Sequence, residues 1–234
     1  MRAGHQKQGE TVIPIEKAST AGMTPPERLP RYEERSYRFM KRGLDIVLGT
    51  IGLIVLFPVF LLASLAVVTG DGFPIFYWSE RVGLNGKRFR MLKFRTMVRN
   101  ADEVLRRDPV LFAEYQKNLK LKNDPRLIRF GDKMRSLSID ELPQLLNVVK
   151  GEMSLVGPRP ILPPEWDRYG DSIEFYLRMK PSCAGLWQCE GRSELEFEER
   201  VRLDRQYYYE ASIRQDLRII GRTLGAILKR KGAY

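Results

Sequence analysis

From Leu44 to Val68 the chain is almost wholly apolar, and that run limits what the rest can become. It carries one charge, Asp45, near its start and one proline, Pro58, past its middle. At about 1.5 Å per residue the run reaches roughly 37 Å if straight, enough to cross a hydrocarbon core of about 30 Å. Its bulky apolar residues each contribute about −0.3 to −0.6 kcal/mol at the centre of a helix, so insertion is favoured even with Asp45 and Pro58 counted. More than forty residues precede the run and no small-residue cleavage pattern follows it, so a secretory signal is not expected. Basic residues cluster before it (Arg31, Arg35, Arg38, Lys41, Arg42) and after it (Arg81, Lys87, Arg88, Arg90). The positive-inside bias therefore puts both flanks in the cytosol, which conflicts with a single straight crossing. Pro58 removes a backbone donor and clashes with the turn before it. Two readings follow, a kinked spanning helix and a helix-break-helix wedge that enters and leaves by one face. The physics of these residues does not separate them.

The chain has 234 residues, enough for one globular unit and an additional element. Its net charge of +11, from 40 Lys+Arg against 29 Asp+Glu, predicts an anionic partner: a phosphate substrate, an acidic membrane or nucleic acid. The single histidine, His5, sits in a polar N-terminal stretch, so neither a Ser-His-Asp triad nor a His-built metal site is expected. Cys183 and Cys189 lack partners for a four-ligand metal site and suggest no secreted disulfide framework. Met1 to about Arg31 has no sustained periodicity and reads as a disordered tail. Beyond Asp71, strands are expected over Ile75–Trp78 and Arg88–Met97, with Lys93 and Arg95 on one face of the second. Asp108-Pro109 reads as the cap and first position of a helix to about Leu119. Another helix should begin around Ser138 to Glu141 and end at Gly151. Glu194 to Lys231 has helical spacing rich in Arg and Tyr, consistent with helices on a membrane surface.

Ser138-Ile139-Asp140-Glu141-Leu142-Pro143-Gln144 sets two adjacent carboxylates just ahead of a proline. Ser138 and Glu141 have capping-box spacing, and acidic residues in a first turn favour the helix dipole. Yet with Ser138 as cap, Pro143 deletes an internal hydrogen bond; with Asp140 as cap it costs nothing. The later start is cheaper and leaves Asp140 at the helix mouth, where free N–H groups bind phosphate. Capping and catalysis both remain open from this motif. Gly157-Pro158-Arg159-Pro160 holds one arginine between two prolines, a rigid base for a bidentate phosphate contact or simply a turn. Lys93, Arg95, Arg126 and Arg192 are further cations for a diphosphate, although each taken singly reads as a solvated charge.

Together these motifs are recognisable. The chain resembles the bacterial polyprenyl-phosphate sugar-1-phosphate transferases of the monotopic superfamily, from about Tyr37 to Tyr234. The resemblance rests on the apolar segment with its proline, Glu80-Arg81-Val82-Gly83, Lys93 to Met97, Asp124-Pro125-Arg126, Leu137 to Gln144, Gly151 to Pro160, Gly185-Leu186-Trp187-Gln188 and Gly191-Arg192. It implies an α+β, mostly helical fold. Residues 1–36 would be a disordered tail, residues 37–70 a re-entrant membrane helix broken at Pro58, and residues 71–234 a cytosolic catalytic domain on the bacterial inner membrane. It implies that Asp140 attacks the sugar-bearing phosphorus, that Glu141 with Asp140 holds Mg²⁺, and that Lys93, Arg159 and a late acid, Asp216, serve the site. The partners implied are a UDP-hexose donor, undecaprenyl phosphate and the bilayer, in the manner of the short exopolysaccharide-initiating type. The sequence leaves open self-association into a homo-oligomer. No nucleic-acid reader motif is evident, so nucleic acid is not an expected partner. A membrane-anchored basic scaffold without catalysis is the competing expectation. The family's usual Lys-Pro-Gly-x-Thr-Gly-Leu-Trp-Gln-Val reads here Lys180-Pro181-Ser182-Cys183-Ala184-Gly185-Leu186-Trp187-Gln188-Cys189, which alters a loop of the expected site.

Overall fold

A computed structural model describes residues 30–118, 121, 123–190 and 195–228. The tail expected over residues 1–29 lies outside them, but its expected last residues do not. Arg31–Glu33 form a 3-10 turn, and Tyr32 is buried against Tyr37, Tyr207 and Tyr208. The folded chain thus begins ahead of residue 37, because the core takes up the ring of Tyr32.

The apolar run forms α1 (Arg35–Val55) and α2 (Phe57–Asp71). The two are bent by 61° at Leu56, and no single helix among the described residues is long and apolar enough to cross a membrane. Pro58 explains where the break falls. It occupies the second position of α2, where a helix needs no donor, so the missing N–H costs nothing once the helix restarts. The expected break at this proline is therefore present. Ile54, Val55, Phe57, Leu61, Leu62 and Leu65 remain exposed around the joint.

After this pair come β1 (Phe76–Val82), β2 (Arg88–Phe94), α3 (Ala101–Arg107), α4 (Pro109–Asn118), α5 (Gly131–Ser136), α6 (Gln144–Lys150), β3 (Ser154–Val156), α7 (Ile173–Leu177), β4 (Ser182–Ala184), α8 (Leu186–Glu190), α9 (Phe197–Glu210) and α10 (Ile213–Leu228). The α+β, mostly helical class is as expected. β1 and β2 form an antiparallel hairpin in which Tyr77 faces Lys93; β3 and β4 are a short parallel pair. The first strand runs beyond the expected Trp78 to Val82 because Asn85 and Gly86 turn the chain back in the left-handed region. The second stops at Phe94, short of the expected Met97, which bridges Leu127 instead. Asp108 caps α4 as expected, its Oδ1 accepting from the Val110 and Leu111 amides at 3.0 and 3.1 Å. Gly151, at φ 88°, ends α6 as expected.

α1 is apolar outward and polar inward. Gly49 and Gly52 back onto α6 so closely that a Cβ at either would stand 3.1 Å from a methyl of Val149 or Leu145. Arg42 donates to the Val148 and Val149 carbonyls at 2.7 Å each, binding the end of α6. Asp45 accepts from Ser154 Oγ at 3.0 Å and from the Leu155 amide at 2.9 Å, tying the helix to β3. Lys41 pairs with Asp216 of α10 at 3.1 Å, both buried, while the Tyr37 and Tyr207 hydroxyls donate to the same carboxylate at 2.9 and 2.6 Å.

Removing one member of such a pair strands the other charge in the interior, at a cost of about 3–5 kcal/mol. Lys41→Met should lower stability by that amount in thermal or denaturant unfolding of the detergent-solubilised protein. Adding Asp216→Asn removes the stranded charge but keeps an oxygen for the tyrosines, and should recover more than half of the loss. A loss below about 1 kcal/mol, or no recovery in the double variant, would contradict the buried pairing.

Candidate active site

Asp140 and Glu141 lie in a 3-10 turn, Ile139–Glu141, entered through Ser138 at φ 55°. Neither Ser138 nor Asp140 caps a helix with its side chain, which corrects both helix-start expectations. The following helix, α6, begins only at Gln144, with Pro143 as its N-cap. Pro143 at the cap lacks only a donor that the helix does not use, and the Leu145 and Leu146 amides bond back to the Leu142 and Pro143 carbonyls, so that start is inexpensive and releases both carboxylates from capping. The capping account of the motif does not hold.

Lys93 reaches this turn from β2. Its Nζ lies 2.6 Å from Glu141 Oε1 and 4.0 Å from Asp140 Oδ2. The strand is held in place by Asn147 of α6, whose Oδ1 accepts from the Leu92 amide at 3.0 Å and whose Nδ2 donates to Arg90 O at 2.9 Å. The helix after the dyad therefore fixes the strand that carries the lysine. Asp140 is recessed, with its side chain 11% exposed, whereas that of Glu141 is 43% exposed. Burial pushes the Asp140 carboxyl up to about 6; Lys93 opposes this and Glu141 adds to it. Such a carboxylate is ionised at neutral pH yet more basic than an ordinary aspartate, as a nucleophile requires. Arg135 of α5 also acts on Asp140, and its Nε donates to Thr96 Oγ1 at 2.9 Å. Sequence reading passed over this arginine, although it lies just upstream of the dyad.

The other expected site residues divide. Arg95 does not share a site with Lys93: β2 has ended, and its buried guanidinium binds Asp71, Pro74 O and the Asp71 and Gly72 carbonyls, closing the end of α2. Arg126 is held bidentately by Asp124 at 2.8 and 2.7 Å and lies over the Tyr115 ring. Asp216 is fully buried in the pairing with Lys41 described above. These three are structural in the geometry observed, because each already has partners of opposite charge or polarity. Arg192 lies outside the described residues. Arg159 keeps a side chain that is 33% exposed, with Nη1 3.3 Å from Glu165 Oε1. β4 holds its loop, since Ser182 bonds Pro158, and the neighbouring Cys183 thiol is pushed up by burial and then by the charges of Glu141 and Asp45. A thiol shifted in that direction is not a nucleophile at neutral pH.

Among the described residues no cluster of three or more His, Cys, Asp or Glu side chains could by itself hold a metal ion. Two adjacent carboxylates are nonetheless the protein share that Mg²⁺ takes where phosphates supply other oxygens. Asp140 and Glu141 fit that role in kind.

A recessed carboxylate with an exposed one next to it, a strand lysine and an apolar bent helix pair define an enzyme-like site. Residues 36–230 match the family model described as bacterial sugar transferase, and the chain belongs to that family. It is 46% identical over 205 residues to the UDP-galactose-lipid carrier transferase of Erwinia amylovora, covering 86% of this chain and 43% of the relative. It is 45% identical over 205 residues to the undecaprenyl-phosphate galactose phosphotransferase of Salmonella typhimurium, with 86% and 43% covered. It is 43% identical over 198 residues to the exopolysaccharide production protein ExoY of Sinorhizobium fredii, with 83% and 88% covered. The chain thus spans less than half the length of the first two and most of the third.

Without added magnesium, the Asp140 carboxyl should titrate near pH 6 by isotope-edited infrared or carbon NMR, well above the ordinary aspartate value of about 3.9. Lys93→Met should move it higher still, because the ammonium favours the charged form. The ionised form should be lost as pH falls through that midpoint. A midpoint at or below about 4, or one that drops in Lys93→Met, would show the local electrostatics to be otherwise.

Proposed function

We propose that the chain transfers a sugar 1-phosphate from a nucleotide-activated sugar, a UDP-hexose, to undecaprenyl phosphate at the cytoplasmic face of a bacterial inner membrane, starting exopolysaccharide or related glycan assembly. The observation that carries the reading is the recessed Asp140 carboxylate with Glu141 and Lys93 at its side. Asp140 Oδ attacks the phosphorus that bears the sugar. A phosphorus–oxygen bond of the diphosphate breaks, the nucleoside monophosphate departs with the electron pair, and an aspartyl phosphosugar remains. A phosphate oxygen of the polyprenyl carrier then attacks the same phosphorus, the aspartyl bond breaks, and Asp140 is returned as a carboxylate. Lys93 balances negative charge gathered at the turn, and Arg159 offers a part-exposed guanidinium to a phosphate. Mg²⁺ held by Glu141 and Asp140 would neutralise charge building on the diphosphate.

The exposed apolar joint between α1 and α2 supports re-entrant seating in the bilayer, and the amphipathic α10, with Leu217 and Leu224 exposed, supports a lipid surface beside it. Anionic headgroups contribute about 1 kcal/mol per nearby basic residue, which suits the +11 charge. Cysteines placed before and after the apolar run should resist labelling from the periplasm. Labelling on either flank would replace the wedge with a span.

The reaction is tested by nucleoside monophosphate release from a panel of UDP-sugars with Mg²⁺ and undecaprenyl phosphate. Release with one donor should fall by on the order of 10³-fold or more in Asp140→Asn. Silence across the panel in folded, lipid-binding protein would favour a basic scaffold in which the dyad has no chemical role.

A further inference from the structure

The segment Gly157 to Ile161 has its backbone groups bound by four separate elements. Gly157 N–H donates to Ala184 O at 2.9 Å, and Ile161 N–H donates to the Tyr176 hydroxyl at 3.2 Å. Pro158 O accepts from Ser182 twice, from N–H at 2.9 Å and Oγ at 3.1 Å. Pro160 O accepts from Arg81 Nη1 at 3.1 Å, and Ile161 O accepts from the Val82 amide at 3.1 Å. The Arg159 N–H, the one donor between the two prolines, acts on the carboxyl of Asp204 and favours its charged form. Asp204 is itself buried on α9 and takes a hydrogen bond from the Tyr169 hydroxyl at 3.1 Å.

A buried carboxyl in a helix is costly, and a loop so completely bound gives up the freedom that loops usually keep. Both costs are explained if the loop must present one side chain in one direction. We propose that Asp204 and Ser182 are positioning residues for Arg159, fixing its backbone from both sides so that its guanidinium meets a phosphate of the donor in a single orientation. The proposal rests on the transferase reading above. Ser182 stands where the family's usual sequence has glycine, so the hydroxyl that it shares between Ala184 O at 2.7 Å and Pro158 O at 3.1 Å is an addition of this chain. Burial pushes the Asp204 carboxyl up to about 8, so its hold on the loop does not need a charge and an amide can replace it.

The test measures donor KM and kcat in full-length, detergent-solubilised protein, together with amide exchange at Arg159. Ser182→Ala and Asp204→Ala should raise donor KM about tenfold with a smaller change in kcat, while Asp204→Asn stays within about twofold of wild type. In an Arg159→Ala background the same substitutions should add nothing, since their effect runs through the missing side chain. Equal losses in both backgrounds would overturn the proposal and leave the two residues merely structural. Exchange at the Arg159 amide should quicken at least about tenfold in Asp204→Ala and return to protection in Asp204→Asn. Unchanged exchange in Asp204→Ala would also overturn it. If Asp204→Ala does not fold, Ser182→Ala and Tyr169→Phe carry the same kinetic comparison. If the wild type turns over no donor, the transferase reading fails, and amide exchange alone then decides the clamp.

Discussion

A charge buried on an apolar helix must find its partner in whatever packs against it, and α1 meets that demand twice. Lys41 binds Asp216 and Asp45 binds the start of β3, 175 and 109 residues along the chain. Arg42 adds a third tie by taking the last carbonyls of α6. The three fix the apolar helix against α10, β3 and α6 at once. Two glycines let α1 approach α6 closely enough for the arginine to reach. From there the order passes inward: α6 begins directly after the dyad, and its Asn147 holds β2 where Lys93 can reach Glu141. The placement of the apolar helix and the geometry of the carboxylates are consequently one problem. A bilayer that holds α1 and α2 would constrain the site through these same contacts.

What could be read from the sequence was what neighbouring residues decide among themselves. Pro58 breaks the apolar run, Asp108 caps a helix and Gly151 ends one, because each acts within a turn of its own position. The dyad was legible for a related reason, two carboxylates and a proline being an awkward helix start. The structure resolves the awkwardness by delaying the helix to Gln144. The true partners of the cations were not legible. Period-two alternation paired Arg95 with Lys93, but alternation lapses where the strand does, at Phe94, and Arg95 turns to the end of α2. Arg126 and Asp216 are consumed by partners that no spacing rule discloses. Asp204 left a faint signal: with Val201 and Tyr208 it falls on the inward stripe of α9, at positions three and four apart, where an acid is out of place. An acid on an apolar stripe is a stronger indication than an acid in a polar stretch.

The departures in the loop from Lys180 to Cys189 acquire separate meanings. Ser182 adds a hydrogen bond to the arginine loop, and Cys183 places a thiol near Glu141 under conditions that keep it protonated. Cys189 packs its sulfur 3.9 Å from Ile219 O and Thr223 Oγ1 on α10, a contact of the core. The two cysteines are thus divided between a strand packed on the Met91, Val148 and Met153 cluster and a helix interface. Neither is placed to act as a nucleophile.

One histidine in the whole chain, at position 5 outside the described residues, is the sharpest constraint on mechanism. Acyl and glycosyl transfers commonly need a general base to make a nucleophile or a general acid to release a poor leaving group. The proposed transfer needs neither. A carboxylate is already an anion at neutral pH, the departing nucleoside monophosphate is a phosphate with a second pKa near 6, and the polyprenyl phosphate attacks through an oxygen that is likewise ionised. The demand that remains is electrostatic: anions must be brought together against their mutual repulsion and held in line. Lysine, arginine and a hard cation meet that demand better than imidazole does, because they keep their charge across the working range of pH. A chain rich in Lys and Arg, poor in histidine and carrying a recessed carboxylate beside a strand lysine is suited to moving phosphate between phosphates.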